Sequence, residues 1–317
     1  MKSKFKMKFI SIIILFIFFS GCSFDDKSGI WNNENVISDK NKDLKEFRTL
    51  SSTDEIFTET ISYKKENNIK ILNIKKNLNW PETFYNQSNN LINFSYSENN
   101  IQILKSKKIT RNPISNYLLS NNNNLFFTDI KGNIFVFSIN ENRLLKKFNF
   151  YKKKFKNSKK NLNLIIQNDV IYVSDNLGYL YSYDYIKDKV IWAKNYKVPF
   201  RSNLKIKKNK LIAANQNNTL YFFNKNNGDV LGYIPTEDTV LKNEFKNNIS
   251  LNNINTFFLN TYGSLYSVNN DLMRVNWFLN FNRSVDVNPI DLFDSNEIIY
   301  ENDFLVLSSK KNTYVIN

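Results

Sequence analysis

Histidine is missing from all 317 residues, and cysteine occurs once, as Cys22. Without histidine there is no Ser-His-Asp triad, no ordinary general base for neutral pH, and hardly any route to a zinc, copper or haem site. One cysteine makes no intramolecular disulfide and no thiolate cluster. The seven glycines are too scattered to form GxGxxG, GxxxxGK[ST] or GxSxG. Carboxylate pairs remain, Asp184 with Asp188 and Asp286 with Asp291. The first pair sits in a turn before a strand, where Asp serves as a backbone cap. Asp294-Ser295-Asn296-Glu297 is too sparse in oxygen ligands for a Ca²⁺ loop. The expectation is a chain that is not an enzyme, with no catalytic residue, no metal and no cofactor.

What the chain does have is a repeat. In Val170 to Trp192, an alternating run (Ile171, Val173) reaches a polar turn ending at Gly178. Tyr179, Tyr181 and Tyr183 then share one face, Asp184 opens another turn, and a third run ends on Trp192. Period-two alternation broken by Gly, Asn and Asp is the signature of short antiparallel strands. With Gly178 as anchor, the unit recurs around Gly132, Asn218 and Gly263, and more weakly around Asn67, Asn99 and Asn312. Trp192 and Trp277 each lie 14 residues after their glycine anchors, and Trp80 is near the corresponding place after Asn67. Asp184, Asn224 and Asn269 each lie six residues after theirs. Anchor spacings of 32 to 49 residues with about four strands per unit read as propeller blades. The anchor turn calls for positive φ, which Gly supplies freely and Asn at small cost. The fold class expected is all-β, a β-propeller of about seven (six to eight) four-stranded blades.

Residues 1–21 stand apart. Four lysines lead into the apolar run Phe9 to Phe19, shorter than a bilayer span. The run ends Phe19-Ser20-Gly21-Cys22, which resembles a bacterial lipobox and implies cleavage before Cys22 and its lipidation. Ser23 after the cysteine implies, by the same resemblance, the periplasmic face of the outer membrane, and several acyl chains would anchor it stably. Residues 22–50 are polar and aperiodic and read as a flexible tether; 51–317 carry the strand pattern. The chain stops before the outermost strand of its last unit. Either residues 56–63 supply that strand and close the ring, or the ring is incomplete.

The net charge is +15, densest in Tyr151 to Lys160. Lys152 to Lys160 could meet an anionic surface, or could simply be a solvated loop. No aromatic platform for nucleic acid is recognisable, and none is expected as a partner.

The unit Gly178-Tyr-Leu180-Tyr181-Ser-Tyr-Asp184 … Trp192 resembles the repeat named after pyrroloquinoline quinone (PQQ), as does Gly263-Ser-Leu265-Tyr266 … Trp277, where Asn269 replaces the Asp. Two families share it: quinoprotein dehydrogenases, and BamB-type lipoproteins of the outer-membrane protein assembly machinery. The catalytic Asp, Ca²⁺ ligands and vicinal Cys pair of the first are not identifiable here. The second has a lipobox, a tether and a propeller. That resemblance implies a scaffold that binds the β-barrel insertase and its unfolded clients. In that family a Leu-x-Leu-Arg loop holds the insertase, and Val198-Pro199-Phe200-Arg201 resembles it. An apolar anchor beside an exposed Arg would suit such a contact; the alternative is an ordinary inter-blade turn with Phe200 packed inward. A generic binding module for another protein or a polysaccharide and a diverged quinoprotein stand as rival readings.

Overall fold

The computed structural model describes residues 79–91, 102, 104–237, 248–281, 292–309 and 312–317. Cys22, the leader and tether, the anchors Asn67 and Asn99, the closing-strand candidate 56–63, and Asp286 with Asp291 lie outside the described residues.

The described chain forms five antiparallel meanders in sequence order. The first sheet is β1 (Leu119–Asn121), β2 (Asn124–Thr128), β3 (Asn133–Ser138) and β4 (Arg143–Asn149). The second is β5 (Leu162–Gln167), β6 (Val170–Asp175), β7 (Tyr179–Asp184) and β8 (Lys189–Asn195). The third is β9 (Lys205–Lys207), β10 (Lys210–Ala214), β11 (Leu220–Asn224) and β12 (Val230–Ile234). The fourth is β13 (Asn248–Leu251), β14 (Asn255–Leu259), β15 (Ser264–Asn269) and β16 (Val275–Asn280). The fifth has three strands, β17 (Ile299–Glu301), β18 (Phe304–Ser308) and β19 (Thr313–Ile316).

Each inner sheet is sandwiched between two neighbours, which is why its central strands are buried on both faces. Ile171 and Val173 join the core shared with the first sheet, while Tyr172 between them joins the core shared with the third. Ile212 and Ala214 face the fourth sheet, and Leu211 and Ala213 face the second. Phe258 packs toward the third sheet, and Phe257 and Leu259 toward the fifth. Each fully buried Val, Leu, Ile or Phe among them contributes about 1.5–3 kcal/mol. The fourth strands alternate instead between exposed and half-buried residues, as in β8. They form the outer rim, where one face meets water.

The four stronger anchor turns are built alike, whereas Asn312 is not at positive φ and takes Ser309 Oγ as the acceptor of its N–H. Gly132, Gly178, Asn218 and Gly263 have φ of 80°, 84°, 56° and 89°, as the turn chemistry demanded. Three residues before each stands an Asp or Asn (Asp129, Asp175, Asn215, Asn260), whose Oδ1 accepts two backbone N–H bonds across the turn at 2.8–3.0 Å. Asp184, Asn224 and Asn269 repeat the device at the following turn, each accepting the N–H two residues on. A β-bulge recurs four residues past each anchor, at Val136, Ser182, Phe222 and Ser267. It increases the local twist as each strand hands over to the rim.

Trp80 does not end a blade strand. It opens an eleven-residue segment that belongs to no sheet, and its N–H and C=O pair with Ser120 of β1.

Candidate functional site

The segment 79–90 visits the first strand of each sheet in order. After Trp80 meets β1, Pro81 accepts the N–H of Ile166 at 2.8 Å and Glu82 bridges Ile165, both in β5. Gln87 donates to Ile206 O of β9 and accepts from Leu251 N of β13. Asn89 donates to Ile249 O and Ile298 O, and Ser88 accepts from Tyr300 N of β17. First strands of different sheets converge only where the blades meet, so this segment occupies the axis. Tyr85 and Asn89, at φ 76° and 57°, give it the tight curl that the path requires.

At its centre lies Lys205, fully buried on β9. Its ammonium has three donors and finds three acceptors: Glu82 Oε2, Asn86 O and Asn89 Oδ1, each at 2.6 Å. Burial lowers the lysine pKa, and the Glu82 carboxylate opposes that shift. Such a buried charge holds its place because all three ammonium donors are satisfied and one acceptor is a carboxylate. A quinone with Ca²⁺ does not fit here: the chain's own residues fill the axis, and among the described residues no three His, Cys, Asp or Glu side chains gather as a metal cage. Asn296, inside the tetrad considered for Ca²⁺, instead caps Ser308 N.

The end face carrying the anchor turns holds the other expected site. Phe200 is 2% exposed, packs on Tyr196 and Phe223, and donates its N–H to Asp175 O. The loop therefore presents no phenyl ring to a partner, and the apolar half of the expected contact turns inward. Val198 is half-buried, its N–H against Gly178, where a Cβ would stand 3.0 Å from Val198 N. Arg201 is half-buried; its backbone N–H bonds Ala214 O, and its Nε is buried with no hydrogen-bond partner.

Arg201 lines a cleft of about 330 Å³ with Lys159, Lys160, Asp129, Ile114 and Leu162. Lys160 is not the solvated lysine that its cluster suggested. It is 5% exposed, donates to Phe155 O and lies 5.3 Å from the Tyr151 ring centroid. Gly132 makes this possible, since a Cβ there would strike the same ring. Burial and the charge of Lys131 lower the Lys160 pKa.

The remaining repeat residues serve the framework. Asp184 caps the turn after β7, and Asp188 holds Tyr183 OH and Lys146. Trp192 reaches the next blade, donating Nε1–H to Lys225 O at 2.8 Å and covering Gly228 (φ 75°). Trp277 joins the fourth core beside Phe257. Sequence reasoning missed Glu82, Asn89 and Lys205 entirely. It also passed over the Asx three residues before each anchor, although that spacing was visible.

No family model and no curated protein matches the chain. Solved structures do. BamB from Moraxella catarrhalis matches at a TM-score of 0.50 and 12% identity, over 61% of this chain and 57% of that one. Quinohemoprotein alcohol dehydrogenase ADHIIG from Pseudomonas putida HK5 matches at 0.58 and 12%, over 75% and 46%. The quinohemoprotein alcohol dehydrogenase from Comamonas testosteroni matches at 0.57 and 9%, over 76% and 47%. The chain thus spans under two thirds of each. At these identities the likeness concerns architecture alone: the sheets are blades of a β-propeller similar to those of BamB and of the quinohemoprotein dehydrogenases.

Proposed function

We propose that this chain is a non-enzymatic periplasmic scaffold, lipid-anchored through Cys22 to the outer membrane, that binds the β-barrel insertase and assists insertion of outer-membrane proteins. The observation that carries this reading is the filled axis: Trp80 to Asn90 bond to the inner strand of all five sheets, so the surface left for a partner is the end face and its loops. A rigid propeller face suits protein docking, and the lipobox-like Cys22 and BamB-like blades point to the same setting. The test is recovery of the insertase from membranes with the tagged full-length chain. Failure to recover it discards the assembly role and leaves a lipid-anchored binding module.

A second reading, a diverged quinoprotein, is favoured by the longer match to the two dehydrogenases. It requires the axial segment to yield to a cofactor. Thermal unfolding with and without pyrroloquinoline quinone and Ca²⁺ separates the two: a raised midpoint supports the enzyme, and an unchanged one opposes it.

A further inference from the structure

We infer that the basic end of the first two sheets is a docking surface for an anionic phospholipid bilayer. The inference goes beyond the scaffold reading, because it says which end of the propeller turns to a membrane. It does not depend on how the chain is anchored. This end is built from the anchor turns at Gly132 and Gly178 and from the connection 150–161 between β4 and β5. Residues 110–113 join them, since Thr110 and Asn112 bond Asp129 and Pro113 O accepts the N–H of Ile130. In these stretches the only carboxylates are Asp129 and Asp175. They are 2% and 0% exposed, and both favour the charge of the buried Lys160. Outside them Arg111, Lys131, Lys152, Lys153, Lys156 and Lys159 are exposed, and none takes part in an ion pair among the described residues.

The rest of the surface is balanced. Arg143 pairs with Glu141, Lys187 with Asp184 and Lys208 with Asp271, all in turns at the opposite end. Lys146 and Lys194 meet Asp188 and Asp229 along the rim. The unmatched charge is therefore gathered on one side of one end. Its chemistry selects among anions. Five of the six cations are lysines, hydrated point charges that need no fixed partner geometry and suit a diffuse array of phosphates. The rings of the loop are not offered to a nucleic-acid base: Phe150 and Phe155 pack on Tyr151 and Tyr179. Phe155 instead pins the short turn Lys153–Phe155 to the second sheet, so the lysines around it stand out on a fixed support.

The experiment uses the full-length chain with an excess of lipid nanodiscs, of phosphatidylcholine alone or mixed with phosphatidylglycerol. Acetylation of lysines by a water-soluble reagent is followed site by site by mass spectrometry. On anionic discs Lys131, Lys152, Lys153, Lys156 and Lys159 are expected to be protected, while the exposed Lys187 and Lys208 react as they do on neutral discs. Protection should vanish in high salt, where the screening length falls from about 10 Å at 0.1 M to about 3 Å at 1 M. Replacing Lys152, Lys153, Lys156 and Lys159 by Gln should weaken docking about fivefold per lysine, read at Lys131. Equal footprints on the two kinds of disc, or protection of Lys187 and Lys208 instead, overturn the proposal. Protection by a single-stranded oligonucleotide with none by anionic lipid overturns it in favour of nucleic acid. Retention of the chain on neutral discs reports anchoring separately. Protection without recovery of the insertase keeps the docking surface and discards the scaffold; recovery without protection does the reverse.

Discussion

The axis and the rim of this propeller are stabilised by opposite means. At the rim, one repeat position, 14 residues past the anchor, meets the turn of the next blade three times with three chemistries. Lys146 pairs with Asp188 at 3.0 Å, Trp192 covers Gly228, and Gly232 lies against Met273. The geometry is conserved through the repeat while the side chains vary, because the contact is half in water and tolerant. At the axis nothing repeats. One lysine, one glutamate and a few carboxamides are removed from water together, and each depends on all the others. A fold can vary its rim freely; its axis is a single set of matched groups.

The contrast breaks most visibly at Lys205. Lys205→Met leaves Glu82 buried without a countercharge, and urea unfolding is expected to show a loss of about 3–5 kcal/mol. Adding Glu82→Gln is expected to restore much of it, as the penalty comes from the orphaned charge. A second, intermediate effect belongs to the anchor turns. Gly178→Ala places a Cβ 3.0 Å from Val198 N at a φ of 84°, expected to cost about 1–3 kcal/mol. Rim changes are smaller: Trp192→Phe keeps the ring over Gly228 but loses the bond to Lys225 O, about 0.5–1.5 kcal/mol. A Trp192 effect as large as that of Lys205 would erase the distinction.

A finer contrast lies between two equivalent turns. Burial raises the carboxyl pKa of Asp175, the hydroxyl of Tyr151 and nearby N–H groups only partly offsetting it. Burial acts in the same direction on Asp129, but the amides of Asn112 and Asn133 and two backbone donors outweigh it, and its pKa falls below the usual carboxylate value. The signs for stability are therefore opposite. Asp129 contributes stability above the ordinary carboxylate range that is lost as pH falls through its lowered pKa. The contribution of Asp175 is present below that range and is lost as pH rises through its raised pKa. ¹³C carboxyl titrations should place the two midpoints on either side of the ordinary value, and Asp129→Asn should reduce the acid sensitivity of unfolding. Midpoints in the reverse order would show that these hydrogen bonds are wrongly assigned.

The blade pattern was legible because it is written four times. Period-two alternation, glycine or asparagine at positive φ, and Asp184, Asn224 and Asn269 as caps are local chemistry, and local chemistry shows in local sequence. Asn218 was legible only in part. Beyond supplying φ, its side chain accepts from Thr261 N and Oγ and donates to Glu237 O, tying the third blade to the fourth. Trp80 misled because a tryptophan at nearly the right distance mimics the repeat, whereas its place is decided by partners 40 residues away in β1. Lys205 was invisible for a related reason: in a lysine-rich chain, nothing local marks the one whose partners are 123 and 116 residues distant. Phe200 shows the limit of motif matching, since the core shared by the second and third sheets, and not its neighbours in the loop, draws it inward.

The axial segment also imposes an order of events. It precedes all five described sheets in the chain, yet Asn90 reaches Glu301 across 211 residues and Asn89 reaches Ile298 across 209. Its bonds cannot all form until the last described sheet exists, so until then part of its polar groups stay in solvent. Contacts of such sequence separation are slow to close. Final locking of the molecule therefore belongs to the end of folding, and the oldest part of the described chain is the last to find its place.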